Sequence, residues 1–239
     1  MNQPDAMRAS NRLLRFGGAE RALHWANAAL FLFLIVTGFS LYGWPGFRLI
    51  GRRGVLKDLH LWVGYALPIP VILTLITKAG AQFREDCKRF ARWTPDDSRW
   101  WRPKTRAAAK VGKFNPGQKL NAIYVGACII VFPITGTAMR WTNVFPLWMR
   151  RGADFTHSWF AIALFVIVLG HIFMALARPE AMRAIIKGHV DPAWAAREHP
   201  RWHAEMSAAT RLPTNNNGPA QPPMPGWQEI SSGEVGVGS

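Results

Sequence analysis

Cysteine is almost missing from this 239-residue chain. It has two, Cys87 in a basic stretch and Cys128 inside an apolar run. Thiols so few and so placed exclude a disulfide framework, a cysteine-bound zinc or iron–sulfur cluster, and covalent haem attachment through C-x-x-C-H. Acidic residues are scarce too, 14 against 29 Lys and Arg, and only 18% of residues are charged. A net charge of +15 would suit a nucleic-acid binder if it were spread evenly. It is not. The stretches 22–47, 59–77, 120–139 and 155–177 contain no Asp, Glu, Lys or Arg at all.

A helix that crosses the hydrocarbon core needs about 20 apolar residues. The four charge-free stretches meet that length and are apolar on every side, whereas helices of soluble bundles carry a polar face. They predict an all-α integral membrane protein, a four-transmembrane-helix bundle with spans near 21–42, 58–78, 118–140 and 155–177. Pro68, Pro70 and Pro133 fall inside spans, where neighbouring helices and local kinks can re-satisfy the freed carbonyls. The first span follows twenty residues and is too long for a cleaved signal peptide, so it is expected to persist.

Orientation follows from the basic residues. The segments before span one, between spans two and three, and after span four hold 22 of the 29. The positive-inside rule therefore predicts cytoplasmic N and C termini. Arg12 and Arg21 read as part of this inner charge rather than as ligands of anything. The organisation expected is an N-terminal cytoplasmic segment over 1–20, the four-helix domain over 21–178, a cytoplasmic segment over 179–206 and a disordered tail over 207–239, which is rich in Pro, Asn, Gly and Ser. Between spans two and three, Trp93, Trp100 and Trp101 alternate with bases. This reads as a loop lying against lipid headgroups, not as a nucleic-acid surface.

Four of seven histidines fall in or at the edges of the spans: His24, His60, His157 and His171. An ionisable side chain at such depth costs several kcal/mol without a partner and marks a functional site. No Asp, Glu, Lys or Arg lies deep in the spans to build a proton relay with them. His157 and His171 are 14 residues apart, which places them on one side of a helix about 21 Å from each other. With the N-terminus inside, His24 and His171 lie towards the cytoplasm and His60 and His157 towards the outside. Two imidazoles at one depth suit axial ligation of a haem iron with no open position, hence electron transfer. Zinc is disfavoured, since neither depth offers a carboxylate or thiolate companion. The expectation is two b-type haems, one inner (His24, His171) and one outer (His60, His157). His189, His199 and His203 follow the last span and read as surface residues. A haem-free membrane anchor or transporter is the alternative of another class.

With these residues placed, the chain resembles the gamma subunit of membrane-bound respiratory formate dehydrogenase, a four-helix di-haem cytochrome b. The resemblance rests on E-R-A-L-H-W-A-N-A around His24, D-L-H around His60, K-F-N-P-G-Q-K-L-N over 113–121, T-H-S-W and G-H-I-F on span four, and G-H-V-D-P-A-W-A-A-R-E-H-P-R-W after it. It covers residues 12–205. It implies a subunit of the bacterial inner membrane that takes electrons from an iron–sulfur (beta) subunit, itself fed by a molybdenum or tungsten catalytic (alpha) subunit, and delivers them to quinone. The outer haem would receive electrons and the inner haem pass them on. The quinone site it implies maps to Asn115, Gly117 and Gln118, with His171 adjoining. Asn at the N-cap, Pro at the first position and Gln at the third also form a helix start that needs no ligand. The histidine set is shared with cytochrome b subunits of hydrogenases and related periplasmic oxidoreductases, which remain the close alternative. The chain has no residues to hold a molybdenum cofactor, so formate oxidation itself is expected elsewhere.

Overall fold

A computed structural model describes residues 12–43 and 53–211. Helix α1 runs Gly18–Leu41, and the second span is split into α2 (Arg53–Ala66) and α3 (Ile69–Ile76). Two short helices follow, α4 (Ala81–Ala91) and α5 (Pro95–Trp101). The long helices α6 (Pro116–Arg140) and α7 (Leu147–Leu176) complete the bundle. Beyond them lie α8 (Pro179–Lys187), α9 (Pro192–Glu198) and α10 (Pro200–Arg211). Four helical segments, the second formed by α2 and α3 together, are long and apolar enough to cross a bilayer.

The bundle is apolar outside as well as inside. Phe31, Leu34, Leu67, Cys128, Ile129, Phe132 and Leu164 pack into one buried cluster, while Leu32, Ile72, Ile130 and Phe173 face outward. Large apolar side chains exposed along whole helices are expected where the solvent is lipid, and together with the four spans they make this a multi-pass membrane protein.

The second span is interrupted at the two prolines that the sequence places inside it. It breaks at Leu67–Pro68, because Pro68 and Pro70 each lack the N–H that would continue the ladder. The chain tightens there, with Leu67 N donating to Gly64 O at 3.3 Å, and helix resumes with Ile72 N donating to Pro68 O. Helix α6 continues through its one interior proline, Pro133. Helix α7 begins eight residues before the charge-free stretch, since Pro146 caps it and Arg150 and Arg151 join its first turns.

One end of the bundle carries a folded cap. Strands β1 (Leu13–Leu14) and β2 (His189–Val190) pair antiparallel, joining the segment before α1 to the segment after α8. Arg15 N and Phe16 N both donate to Gly188 O, at 2.8 and 3.1 Å. Gly188 has φ +86°, and a Cβ there would stand 2.7 Å from Phe16 O, so only glycine serves. Ala184, Val190, Ala195 and Trp202 form a second core beneath this junction.

Three sequence expectations change here. The long stretch between spans two and three is not an open loop but folds as α4 and α5, with Cys87 on a helix. His199 is not a surface residue: it is buried, 3% exposed, and its Nδ1 lies 2.7 Å from Gly112 O, 87 residues away in sequence. Helix α10 extends to Arg211, past the expected boundary at 206, and the rest of the tail lies outside the described residues.

Candidate functional site

Helix α1 carries His24 near its cap end, α2 carries His60, and α7 carries both His157 and His171. The bundle brings His24 to His171, with ring centroids 6.0 Å apart at an interplanar angle of 52°. It brings His60 to His157 at 6.3 Å and 56°. The rings therefore meet at two levels. Phe132 packs 4.9 Å from His157 and Trp25 meets His24 edge-on at 5.3 Å.

The gap between rings is chemically informative. A direct N–H···N hydrogen bond, with nitrogens about 2.9 Å apart, would draw the centroids to about 5 Å. Two metal–imidazole bonds of about 2 Å each, with the metal between the nitrogens, put the centroids about 6 Å apart. Both pairs have the second spacing. The donor sets also fit: two neutral-capable imidazoles per level and, among the described residues, no group of three or more His, Cys, Asp or Glu that would hold a bare metal ion. The described residues thus fit a bis-imidazole iron better than a zinc or calcium site.

Two threonines complete the His60–His157 level. Thr37 Oγ1 lies 2.7 Å from His60 Nδ1, and Thr135 Oγ1 lies 2.8 Å from His157 Nδ1. Neither threonine stands out from its span in the sequence. Their signal is a hydroxyl inside an otherwise apolar span, followed each time by glycine.

Asn115, Gly117 and Gln118 open helix α6 at the cap end. Asn115 Oδ1 accepts from Gln118 N at 2.9 Å, and Gln118 Oε1 accepts from Asn115 N at 3.0 Å, a reciprocal capping box. Capping therefore engages one end of each amide and leaves the two NH2 groups for another partner. A Cβ on Gly117 would stand 3.6 Å from Trp100, whose face is covered by Arg106 at 4.0 Å. His171 shares the cap end, but among the described residues no hydrogen bond or ring contact joins it to this segment.

The cap beside this segment buries charge. Lys113 pairs with Asp86, and Lys119 Nζ binds both oxygens of Asp97 at 2.9 Å. Arg15 Nη2 donates to Lys113 O at 2.6 Å, and the guanidinium lies among the rings of Phe16, Trp194 and Trp202. Burial lowers Arg15 to about 10, an effect Asp86 partly offsets, so it stays charged at neutral pH. Burial also lowers Lys113, against the pull of Asp86. Asp97 is held below its ordinary value: burial acts to raise it, and Lys119 with the Thr94 N–H and hydroxyl outweighs burial. Arg21 Nη1 donates to Ile186 O at 2.7 Å, tying α1 to α8.

The sequence profile of prokaryotic cytochrome b561 matches residues 15–188 of this chain. The chain belongs to the prokaryotic cytochrome b561 family. Membership implies haem b. The cytochrome b556 subunit of formate dehydrogenase from Haemophilus influenzae is 26% identical over 201 residues, covering 81% of this chain and 83% of that protein. The cytochrome b556(fdo) subunit of formate dehydrogenase from Escherichia coli K12 is 25% identical over 222 residues, covering 85% and 98%. The cytochrome b556(Fdn) subunit of the nitrate-inducible formate dehydrogenase of the same organism is 24% identical over 210 residues, covering 85% and 95%. This cytochrome b561 family member thus matches formate dehydrogenase cytochrome subunits along nearly their whole length.

Proposed function

We propose that this chain is the membrane cytochrome b subunit of a formate dehydrogenase-type complex, in which two b-type haems, held by His60–His157 and His24–His171, supply one-electron transfer between an iron–sulfur partner at the outer face and quinone near the cytoplasmic face. The observation that carries this reading is the pair of ring gaps, 6.3 and 6.0 Å, stacked at two levels of one four-helix bundle. The formate dehydrogenase relatives support the choice of complex.

The protein's own part is to bind and to position. His60 and His157 hold the outer group where a partner on the outer face can reach it, and His24 and His171 hold the inner one about 21 Å further along α7. The apolar cluster of Phe31, Leu34, Phe132 and Leu164 keeps water out of the interior, which preserves the one-electron route from side reactions. Asn115 and Gln118 present amide NH2 groups at the cytoplasmic end, suited to the carbonyl oxygens of a quinone. Reducing quinone to quinol consumes two electrons and two protons, and a site at this end draws those protons from the cytoplasm. The catalytic and iron–sulfur subunits oxidise formate; this chain does not.

Formate given to the isolated complex is expected to reduce the b-type absorbance, and a soluble quinone analogue to reoxidise it. A complex whose b-type absorbance responds to dithionite but not to formate contradicts the formate assignment. Reduction by dihydrogen in its place would make the donor a hydrogenase.

A further inference from the structure

Thr37 and Thr135 occupy matching places. Each is followed by glycine, and each precedes by 23 or 22 residues the histidine it touches: Thr37-Gly38 meets His60, and Thr135-Gly136 meets His157. Each threonine sits on the helix preceding the one that bears its histidine. Each hydroxyl also lies close to the carbonyl four residues back, Thr37 Oγ1 to Phe33 O at 2.8 Å and Thr135 Oγ1 to Val131 O at 2.7 Å. A carbonyl can only accept, so the single hydroxyl hydrogen is committed to it. The hydroxyl oxygen is then an acceptor towards the imidazole, and Nδ1 must carry the ring's proton. That leaves Nε2 unprotonated, with its lone pair available for a metal. The glycines act beside the same rings. A Cβ on Gly38 would stand 3.4 Å from His60 Cε1, and one on Gly136 3.9 Å from His157 Cε1. Both distances are ordinary van der Waals contact, so each dipeptide borders the ring edge between the two nitrogens.

We propose that the two Thr-Gly dipeptides form a duplicated clamp that fixes the tautomer and ring plane of the outer pair and sets the potential of the group it holds below that of the inner one. The proposal rests on the haem reading above. Accepting a hydrogen bond from Nδ1–H makes an imidazole a stronger donor through Nε2 and favours the more positive, oxidised iron. Among the described residues, no protein group hydrogen-bonds to His24 or His171, in contrast to the outer pair. The difference makes transfer from the outer to the inner level downhill, the direction that quinone reduction requires. Thr37 and Thr135 are positioning residues, since they act through the histidines.

The test is a redox titration with low-temperature EPR on the full chain in its complex, comparing wild type with Thr37→Val, Thr135→Val and Thr37→Ser. Haem removal by His60→Ala identifies which signal belongs to the outer pair. Both valine variants, which keep the side-chain shape, are expected to shift the outer midpoint potential upward and to move or broaden its low-spin g-values. The inner signal should stay fixed, and Thr37→Ser should restore the wild-type outer signal. Loss of the outer haem in Thr37→Val with retention in Thr37→Ser equally supports a need for the hydroxyl. Wild-type potentials and g-values in both valine variants overturn the clamp. A wild-type protein without haem would instead overturn the reading on which the clamp rests.

Discussion

In the proposed reading, Asn115 divides one amide between two tasks. Its oxygen caps α6 by accepting from Gln118 N, and its NH2 group is what a quinone carbonyl would use. Replacement can separate the two. Asn115→Asp keeps an oxygen of equal N-cap preference at a helix end that favours negative charge, but removes the donor. It should leave thermal stability near wild type while raising the quinone KM severalfold. Asn115→Ala should lose about 1 kcal/mol of capping as well. Wild-type quinone kinetics in Asn115→Asp would confine the residue to capping. The four span histidines were legible in the sequence because an ionisable group stands out against an apolar run. The threonines beside them did not stand out, because a hydroxyl bonded to its own helix passes for span filler. His199 was misread for another reason: its burial depends on Gly112, which no local pattern reveals.

At the scale of elements, length and apolarity disclosed the four spans, and the structure adds the break at Leu67–Pro68 and the cap. Lys113, Lys119 and Arg15 counted correctly as basic residues of one segment group, yet each is buried and two are paired with Asp86 and Asp97. Sequence cannot distinguish a solvated lysine from one that closes a cap, since the partner lies 22 or 27 residues away. The cap should be pH-sensitive through His199. Burial, reinforced by Arg15 and opposed by the hydrogen bond to Gly112, pushes His199 down to about 3 from an ordinary 6.5. Between those values the unfolded cap binds a proton that the folded cap does not. Stability is therefore full above about pH 6.5 and falls as pH drops, by up to about 1.4 kcal/mol per unit. Hydrogen–deuterium exchange over 110–114 and 192–206, corrected for intrinsic rates, should quicken between pH 7.5 and 5.5. His199→Asn should flatten that dependence. Exchange equally slow at both pH values in the wild type would contradict it.

For the whole molecule, the uneven distribution of charge is the organising fact. A chain with 29 basic residues looks like a nucleic-acid binder only on average; charge-free spans and basic flanks describe a membrane bundle. The proposed orientation puts 22 of those residues on the cytoplasmic side and sorts the histidines into an outer and an inner level. The folded rings meet in those two combinations, with centroids 6.0 and 6.3 Å apart. The most direct test is haem quantification per chain, by pyridine haemochrome, on the purified wild type and the four single His→Ala variants. The account predicts two b-type haems in the wild type and one in every variant, with His60→Ala and His157→Ala losing the same one and His24→Ala and His171→Ala losing the other. A wild type with no haem, or loss of the same haem from His60→Ala and His24→Ala, would contradict it.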